Sequence, residues 1–312
     1  MFLKLETYYL QADTPSSIQL FNGTFDRSDN TIDRDRMADA SLFGAGKRFP
    51  IDSNQWSDKD GATILNFNTG AAGTWVAGVS THPRNFAMDA TAFNDYLEHD
   101  GVLDMLEWRK DNNALGQDAV EKYSKHVKTI FQVGDQLTPD FQTQLGYPLE
   151  FIPLSNPYDL HPGHSLQLEL LWQGTPLTNQ LVYVGAPKMS HEQAHAAGVA
   201  HDHPENAEED HNYVLTQLRT DADGILTVNI NQKGIWYLRT IYLVESQEAG
   251  LTHESNWATL SFEIGDGYHH EVVEEDNHHH EEKASLGIPA YVYWGSSLVL
   301  FLGLFLWFNR KA

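Results

Sequence analysis

Residues 62–79 of the chain read ATILNFNTGAAGTWVAGV. The runs Ala62 to Asn68 and Thr74 to Val79 are rich in the β-branched, aromatic and other apolar residues typical of short strands, and a glycine-rich turn separates them. Three earlier runs have the same character: Leu3 to Leu10, Ser17 to Phe21 and Leu42 to Phe49. This succession of short strands and turns predicts a mainly β fold that begins with an antiparallel β-sandwich.

The pattern changes to helical spacing at Asp89. The apolar residues that recur at this spacing are Phe93, Tyr96, Leu97, Val102, Leu103, Leu106, Val120, Tyr123, Val127 and Ile130. Gly101 and Gly116 are expected to separate two or three helices, and Gly134 is expected to end the last one. The sequence therefore predicts a helical insertion over about residues 89–132 of an N-terminal sandwich domain at residues 1–157.

A second β domain is predicted at residues 158–265. Asn156-Pro157 and the following His161-Pro162-Gly163-His164 indicate an interdomain elbow. The strand-like runs beyond the elbow are Ser165 to Trp172, Gln180 to Gly185, Ile225 to Ile230, Ile235 to Val244 and Trp257 to Ile264. Short strands at this spacing predict a second sandwich, of immunoglobulin-like or transthyretin-like type.

Composition narrows the classes of partner. The chain has 312 residues, of which 43 are acidic and 20 are basic, and its formal net charge is −23. Such a charge disfavours nucleic acid and anionic lipid surfaces as partners and favours cations. The chain has no cysteine, which excludes disulfides, thiolate metal ligands and cysteine catalysis. Imidazole, carboxylate and methionine remain as metal ligands.

Histidine is concentrated between two of the predicted strands, in a polar loop at residues 187–211. The histidines of this loop are His191, His195, His201, His203 and His211, and acidic residues lie between them. Imidazole suits Ni²⁺, Co²⁺, Cu²⁺ and Zn²⁺, and nearby carboxylates raise the local cation concentration. The loop is therefore predicted to bind a divalent transition metal. The alternative is a solvated acidic loop whose histidines are not ligands.

A second histidine-rich stretch follows the last predicted strand. Residues 266–286 are acidic and contain the run His278, His279 and His280. A segment of this composition cannot bury a core, so it is predicted to be a flexible linker. Its three consecutive histidines are candidate metal ligands, and the alternative is a solvated spacer that holds the preceding domains away from a membrane.

The C-terminal sequence predicts a membrane anchor. Ile288 to Phe308 is a run of 21 residues without a charged side chain, about 31 Å long as a helix, which is enough to cross the hydrocarbon core of a bilayer. We therefore predict a single transmembrane helix at residues 287–308. Arg310 and Lys311 follow this helix and predict a cytoplasmic tail at residues 309–312.

The predicted orientation places the bulk of the chain outside the cytoplasm and requires an export signal. Residues 1–6 do not have the basic and apolar regions of a signal peptide. We expect that the signal was removed or lies upstream of Met1. The alternative is a tail anchor with the opposite orientation.

Several motifs taken together resemble a known family. They are Phe2-Leu3-Lys4-Leu5, Asn22-Gly23-Thr24-Phe25, Arg34-Asp35-Arg36-Met37, Gly70 to Ser80, Tyr123 to Lys128 and Glu254 to Leu260. Through these motifs the chain resembles a family of extracytoplasmic proteins with a domain of unknown function, and the resemblance extends from Phe2 to about Ile264. Members of this family are regarded, by association, as periplasmic components of nickel or cobalt uptake systems. The resemblance implies a β-sandwich with a helical insertion and a second β domain with a variable, often histidine-rich loop. Relatives usually carry a His-Asp or His-Glu pair before the first strand, and this sequence opens at Met1, where that pair would end.

The residues and the resemblance lead to two main functional hypotheses. The first is a single-pass protein of the bacterial inner membrane whose periplasmic part binds Ni²⁺ or Co²⁺, with Zn²⁺ and Cu²⁺ as alternatives, and supplies a metal permease subunit. The second is a structural or adhesive ectodomain that binds a protein or glycan. Exposed aromatic residues clustered on one face of a sandwich would favour this second hypothesis. No catalytic residues are expected, because the sequence has no nucleophile elbow, no His-Glu-x-x-His helix and no phosphate-binding glycine loop.

Overall fold

The computed structural model describes residues 1–188 and 212–265, and strands dominate them. The mainly β character predicted from the sequence is therefore confirmed. Up to Pro153 the strands are β1 (Phe2–Lys4), β2 (Tyr9–Leu10), β3 (Pro15–Gly23), β4 (Ser28–Asn30), β5 (Met37–Gly44), β6 (Lys47–Pro50), β7 (Trp56–Lys59), β8 (Ala62–Asn68), β9 (Gly73–Thr81), β10 (Arg84–Met88), β11 (Ala119–Val133) and β12 (Leu149–Pro153). Beyond Pro153 they are β13 (Ser165–Trp172), β14 (Thr175–Pro176), β15 (Leu181–Pro187), β16 (Tyr213–Arg219), β17 (Ile225–Asn229), β18 (Gly234–Glu245) and β19 (His253–Ile264).

Helices are few within this part of the chain. The α-helices are α1 (Ala90–His99) and α2 (Leu103–Asp111). Short 3₁₀ helices lie at Arg34–Arg36, Ser53–Gln55, Pro139–Gln142 and Pro157–Asp159.

The described strands form three sheets. The largest has ten strands in the order β16-β15-β18-β19-β11-β9-β5-β6, with β10 and β2 also paired to β11. A five-stranded sheet has the order β1-β3-β8-β7 with β4 beside β3, and a four-stranded sheet has the order β12-β13-β14 with β17 beside β13. Strand β11 pairs with four other strands, because its 15 residues are long enough for different partners to bond to its two ends.

Strand β11 overturns one helical prediction. The helix expected around Val120 to Ile130 is wrong, because these residues form the middle of a strand. Every residue from His126 to Val133 is buried, so apolar residues occur on both faces of the strand. A strand that is covered on both faces loses its alternating pattern, and its apolar residues can then fall at helical spacing by chance.

Two helices do follow Asp89, as predicted. The Asp89 carboxylate caps α1 by accepting the Ala92 N–H at 2.8 Å. Gly101 separates α1 from α2 with a φ of +71°, a conformation that favours glycine. The helical part of the predicted 89–132 insertion is therefore limited to Ala90–Asp111.

Strands from both sides of the predicted domain boundary pair within the ten-stranded sheet. Strand β11 runs parallel to β19, with Glu121 opposite His253 and Thr129 opposite Ser261. Residues 157 and 158 therefore do not mark a break in the sheet. The spacing of apolar residues locates strands along the chain, but it does not show which distant strands will pair.

The smaller sheets cover opposite faces of the ten-stranded sheet. On one face, the Ser261 hydroxyl of β19 donates to the Leu3 carbonyl of β1 at 2.6 Å. On the other face, Lys128 of β11 contacts Glu150 of β12. The main apolar core draws on all three sheets, and its most buried members include Ile18, Leu65, Phe131, Leu260, Phe151 and Leu168. A second core lies beneath the helices and consists of Phe93, Leu97, Val102, Met105, Leu106, Ala119, Ile241 and Leu243.

The predicted membrane-associated segments lie outside the described residues. These are the linker at residues 266–286, the transmembrane helix at 287–308 and the tail at 309–312. In the part of the chain that the structure describes, no helix is long and apolar enough to cross a membrane.

A buried ion pair connects β11 to the four-stranded sheet. Lys128 Nζ lies 2.8 Å from Glu150 Oε1, and both side chains are 2% exposed. Burial lowers the pKa of Lys128 despite the adjacent carboxylate. The Glu150 carboxylate also accepts three backbone N–H groups from residues 145–147. It therefore holds this turn in place as well as balancing the ammonium charge.

We expect Glu150→Leu to lower the free energy of unfolding by about 3–5 kcal/mol, because it leaves a buried ammonium and three backbone N–H groups without their acceptor. Lys128→Met should cost less, since the carboxylate keeps those three N–H groups. Urea denaturation measures both changes. The exposed Lys122–Glu248 pair provides the control: Lys122→Met should cost less than about 1 kcal/mol. Equal losses for Glu150→Leu and Lys122→Met would contradict this role.

His253 of β19 is a second buried ionisable group. Its side chain is 5% exposed, and its ring centroid lies 4.7 Å from that of Phe93. Nδ1 lies 2.7 Å from the Thr252 hydroxyl, whereas Nε2 is buried without a hydrogen-bond partner among the described residues. Burial, assisted by the nearby charge of Arg109, lowers the pKa of His253 from 6.5 to about 4. The native chain therefore holds this imidazole neutral.

The lowered pKa of His253 predicts a loss of stability in acid. The unfolded histidine takes up a proton as the pH falls through 6.5, whereas the folded one does so only near pH 4. Stability should therefore fall by about 2.5 kcal/mol between pH 7 and pH 4.5 through this residue alone. We expect His253→Leu to reduce the pH dependence by that amount in urea denaturation. His82→Gln, at an exposed position, should leave it unchanged. The same pH dependence in His253→Leu and the wild type would refute the assignment.

Candidate functional site

The predicted metal ligands all lie outside the described residues. They are His191, His195, His201, His203, His211, His278, His279 and His280. Within residues 1–188 and 212–265, no group of three His, Asp or Glu side chains is arranged to hold a metal ion. The metal site stays a prediction, and it depends on the two histidine-rich segments.

The structure describes both points at which the loop at residues 187–211 joins the ten-stranded sheet. Pro187 at the end of β15 is paired with Tyr213 at the start of β16. The Lys188 N–H donates to the Asn212 carbonyl at 2.8 Å, and Asn212 Nδ2 donates to an Asp26 carboxylate oxygen at 2.9 Å. The two ends of the loop are therefore held together beside a carboxylate.

His126 lies inside the fold and is not available as a ligand. The side chain is 2% exposed, and both ring nitrogens have partners: Nδ1 lies 2.9 Å from the Ser80 hydroxyl and Nε2 lies 3.0 Å from Asn256 Oδ1. Burial lowers the pKa of His126, although the Asn256 contact acts in the opposite direction. Ser, His and Asn are residue types found in hydrolase sites. Here all three are buried, with less than a tenth of each side chain exposed, so they form an internal hydrogen-bond network.

The described residues do contain a second candidate site, which we call the sheet groove. It consists of three adjoining cavities on one face of the ten-stranded sheet, between α1 and the five-stranded sheet. The helix cavity, of about 420 Å³, is lined by residues that include Gly101, Tyr183 and Arg239. The aromatic cavity, of about 330 Å³, is lined by residues that include Phe86, Tyr96 and Trp257. The polar cavity, of about 170 Å³, is lined by residues that include Asn22, Arg36 and Arg84.

Strand alternation explains why these side chains meet. Glu121, Tyr123 and Lys125 are separated by two positions in β11, so they point to the same face of the sheet. The parallel pairing with β19 places Trp257 beside Lys125, and the antiparallel pairing with β10 places Phe86 beside Glu121. Trp257 lines both the helix and the aromatic cavities, and Tyr123 and Lys125 line both the aromatic and the polar cavities. The three cavities therefore adjoin one another along one row of side chains.

Glu121 supplies a buried carboxyl group to the aromatic cavity. The residue is 3% exposed, and its Oε1 accepts hydrogen bonds from the Tyr96 hydroxyl at 3.2 Å and from the Ser255 hydroxyl. Burial raises the pKa of Glu121, although both hydrogen bonds lower it. A carboxyl group in this state can accept a hydrogen bond from a ligand, or donate one when it is protonated.

Lys125 and Trp257 form the boundary between the cavities. Lys125 Nζ lies 4.8 Å from the centroid of the Trp257 ring and 3.2 Å from Asn22 Oδ1. The Trp257 ring is stacked on Tyr96 with a centroid distance of 6.2 Å, and its Nε1 is buried without a hydrogen-bond partner in the described part of the chain. Burial lowers the pKa of Lys125. The groove thus combines an aromatic wall with a desolvated cation and an unused N–H donor.

Sequence patterns alone do not indicate the residues of the groove. Glu121, Tyr123 and Lys125 lie in a segment whose apolar spacing predicts a helix, so their position on one face of a strand does not follow from the sequence pattern. Arg36 lies in the charged stretch from Asp26 to Asp39, which predicts a solvated ion-pair network. Arg27 and Asp29 do form an exposed pair there, but Arg36 is buried.

Three comparisons with known proteins indicate what the chain is similar to. A search of curated proteins finds no match. Among solved structures, activated alpha-2-macroglobulins of Escherichia coli are similar over part of their length. The form activated by porcine elastase is 8% identical, with a TM-score of 0.20 over 83% of this chain and 20% of that one. The trypsin-activated form is 10% identical, with a TM-score of 0.19, and the match covers 85% of this chain and 15% of that one.

The chain spans a fifth or less of the length of these two proteins, and TM-scores this low establish neither a shared fold nor a shared activity. A family comparison is more informative, in agreement with the resemblance that the sequence motifs carry. The model of a family described as a domain of unknown function, DUF4198, matches residues 19–243, which is well over half of the chain. The chain therefore belongs to the DUF4198 family.

Proposed function

We propose that the chain is an extracytoplasmic, membrane-anchored binding protein that captures a divalent transition metal and supplies it to a permease. Ni²⁺ or Co²⁺ is the metal that we propose first, and Zn²⁺ or Cu²⁺ is the alternative. The observation that carries this proposal is the density of histidines at residues 187–211, together with the anchoring of both loop ends by the Lys188–Asn212 hydrogen bond. Fixing the ends of a loop lowers the entropic cost of bringing its ligands together.

The anchor and the linker extend this proposal to the membrane. A helix at residues 287–308 would hold the chain at the bacterial inner membrane, and His278 to His280 in the linker would offer a second set of imidazoles on the way to a permease. The proposed arrangement retains two β-sandwich regions, the second of immunoglobulin-like or transthyretin-like type, although they share the ten-stranded sheet.

Metal binding should depend on the loop histidines and on pH. We expect calorimetric titration of the full chain to show binding of Ni²⁺ or Co²⁺ that is lost when His191, His195, His201, His203 and His211 are all replaced by Gln. Ligand imidazoles must be neutral, so affinity should weaken as the pH falls below about 6.5. A variant that carries Gln only at His278, His279 and His280 separates the contribution of the linker.

The control for this titration replaces two histidines outside the loop. His161 and His164 are exposed and lie in the elbow before β13, so His161→Gln together with His164→Gln removes imidazoles without touching the loop. Unchanged metal affinity in the loop variant would show that the histidines of residues 187–211 are not the ligands. Equal losses in the loop variant and this control would indicate only the weak affinity of any histidine-rich surface.

The alternative function is a structural or adhesive ectodomain that binds a protein or glycan. The exposed Phe86, which is 57% exposed, and the aromatic cavity beside it favour this alternative. Sugar binding needs an open aromatic face, but the Trp257 ring already contacts Tyr96 and Lys125. We therefore prefer metal capture as the main function and treat the groove as a separate site.

A further inference from the structure

Three basic side chains converge on the polar cavity of the sheet groove. Arg36 comes from the turn before β5, Arg84 begins β10 and Lys125 lies in β11. Among the described residues, none of the three forms an ion pair, although Asp33 also lines the cavity. The chain has 43 acidic and 20 basic residues, so acidic partners are in excess. Arg36 is buried, Lys125 is partly buried and Arg84 is exposed, and all three line the cavity. Buried basic groups are usually paired, so the lack of an ion pair at Arg36 is unusual.

Arg36 has the clearest unmet need for an acceptor. Its side chain is 9% exposed, and Nη1 is buried without a hydrogen-bond partner in residues 1–188 and 212–265. The guanidinium carbon lies 5.3 Å from the centroid of the Tyr123 ring, which stabilises the cation but leaves the in-plane N–H groups for other acceptors. A buried donor without a partner costs about 1–3 kcal/mol. Arg36 lines the polar cavity, so a ligand oxygen that met Nη1 after a shift of this side chain would recover this cost.

Lys125 offers the second positive charge. Its ammonium has three N–H donors, and Asn22 Oδ1 at 3.2 Å is its one hydrogen-bond acceptor among the described residues. Burial is the main cause of its lowered pKa, the charges of Asp100 and Glu121 raise the pKa, and the charge of Arg36 lowers it. An anion placed between Lys125 and Arg36 would stabilise the buried ammonium and reduce the repulsion between the two cations.

The neighbouring aromatic cavity indicates what the rest of the ligand is like. It shares Tyr123 and Lys125 with the polar cavity, and its volume of about 330 Å³ is lined by Phe86, Tyr96 and Trp257 and open to solvent. Phe86 is 57% exposed, so an apolar body that covers it would gain from the hydrophobic effect. The two cavities together suit a molecule with one anionic end and one apolar end.

We infer that the sheet groove binds an organic monocarboxylate, with its carboxylate on Arg36 and Lys125 in the polar cavity and its aromatic body in the aromatic cavity. The planar guanidinium matches a carboxylate in shape and charge. This site uses none of the histidines in the proposed metal function, so the two can be tested separately.

The test is calorimetric titration of the full chain with phenylacetate, with its neutral amide phenylacetamide, and with inorganic phosphate. We expect phenylacetate to bind at least about tenfold more tightly than either of the others. Arg36→Met and Lys125→Met should each weaken phenylacetate binding by about tenfold or more. Phe86→Ala should also weaken it, because it removes apolar contact without removing charge.

Matched variants keep the test interpretable. Arg27→Met removes an exposed arginine that is paired with Asp29 and should leave phenylacetate binding unchanged. If Arg36→Met does not fold, Lys125→Met and the exposed Arg84→Gln carry the test, with folding checked by thermal unfolding. Absence of binding at millimolar phenylacetate would overturn the proposal, as would equal binding of phenylacetamide. Phosphate that binds as tightly as phenylacetate would overturn the assignment to an organic carboxylate.

Discussion

The parallel pairing of β11 with β19 is the interaction on which the rest of the structure depends. It joins residues 121–129 to residues 253–261, so the chain between them must make a long crossover. Side chains reinforce the register: the Ser124 hydroxyl donates to Asn256 Oδ1 at 2.9 Å, and the hydroxyl oxygens of Ser261 and Thr129 lie 2.9 Å apart. Because contacts so distant in sequence form late and slowly, folding of the described region should be limited by this pairing.

This one strand also determines both polar features of the interior. Its even-numbered residues, including His126 and Lys128, face the four-stranded sheet, and its odd-numbered residues, including Glu121 and Lys125, face the sheet groove. A slip of one residue in its register would exchange the two faces. The Lys128–Glu150 ion pair would then be broken, and Glu121, Tyr123 and Lys125 would no longer line the groove. The buried ion pair therefore protects the geometry of the candidate ligand site, although the two lie on opposite faces of the sheet.

Local features of the sequence predict much of the fold. The elements that they do not predict are those whose environment depends on strands distant in sequence. Strands β8, β9 and β13 were predictable because turns bound them, and α1 was predictable from its start at Asp89. Strand β11 was not, because burial of both its faces by sheets distant in sequence hides its alternation. The burial of Arg36 depends in the same way on strands far from its charged neighbours. The histidine-rich segments were visible in the sequence, but composition does not determine a coordination geometry.

A carboxylate site in a chain of net charge −23 is consistent with electrostatics, because net charge and local charge act over different distances. At physiological ionic strength, charges separated by more than about 8 Å are largely screened. Acidic side chains more than about 8 Å from the cavity therefore have little effect on the affinity for an anion that is already bound there. They act mainly on its approach. The polar cavity is lined by three basic residues, Arg36, Arg84 and Lys125, and by one acidic residue, Asp33. The burial of Arg36 and the partial burial of Lys125 strengthen their attraction for a carboxylate that makes direct contact. The excess of acidic residues still disfavours a long polyanion such as nucleic acid, which would extend beyond the cavity over the acidic surface.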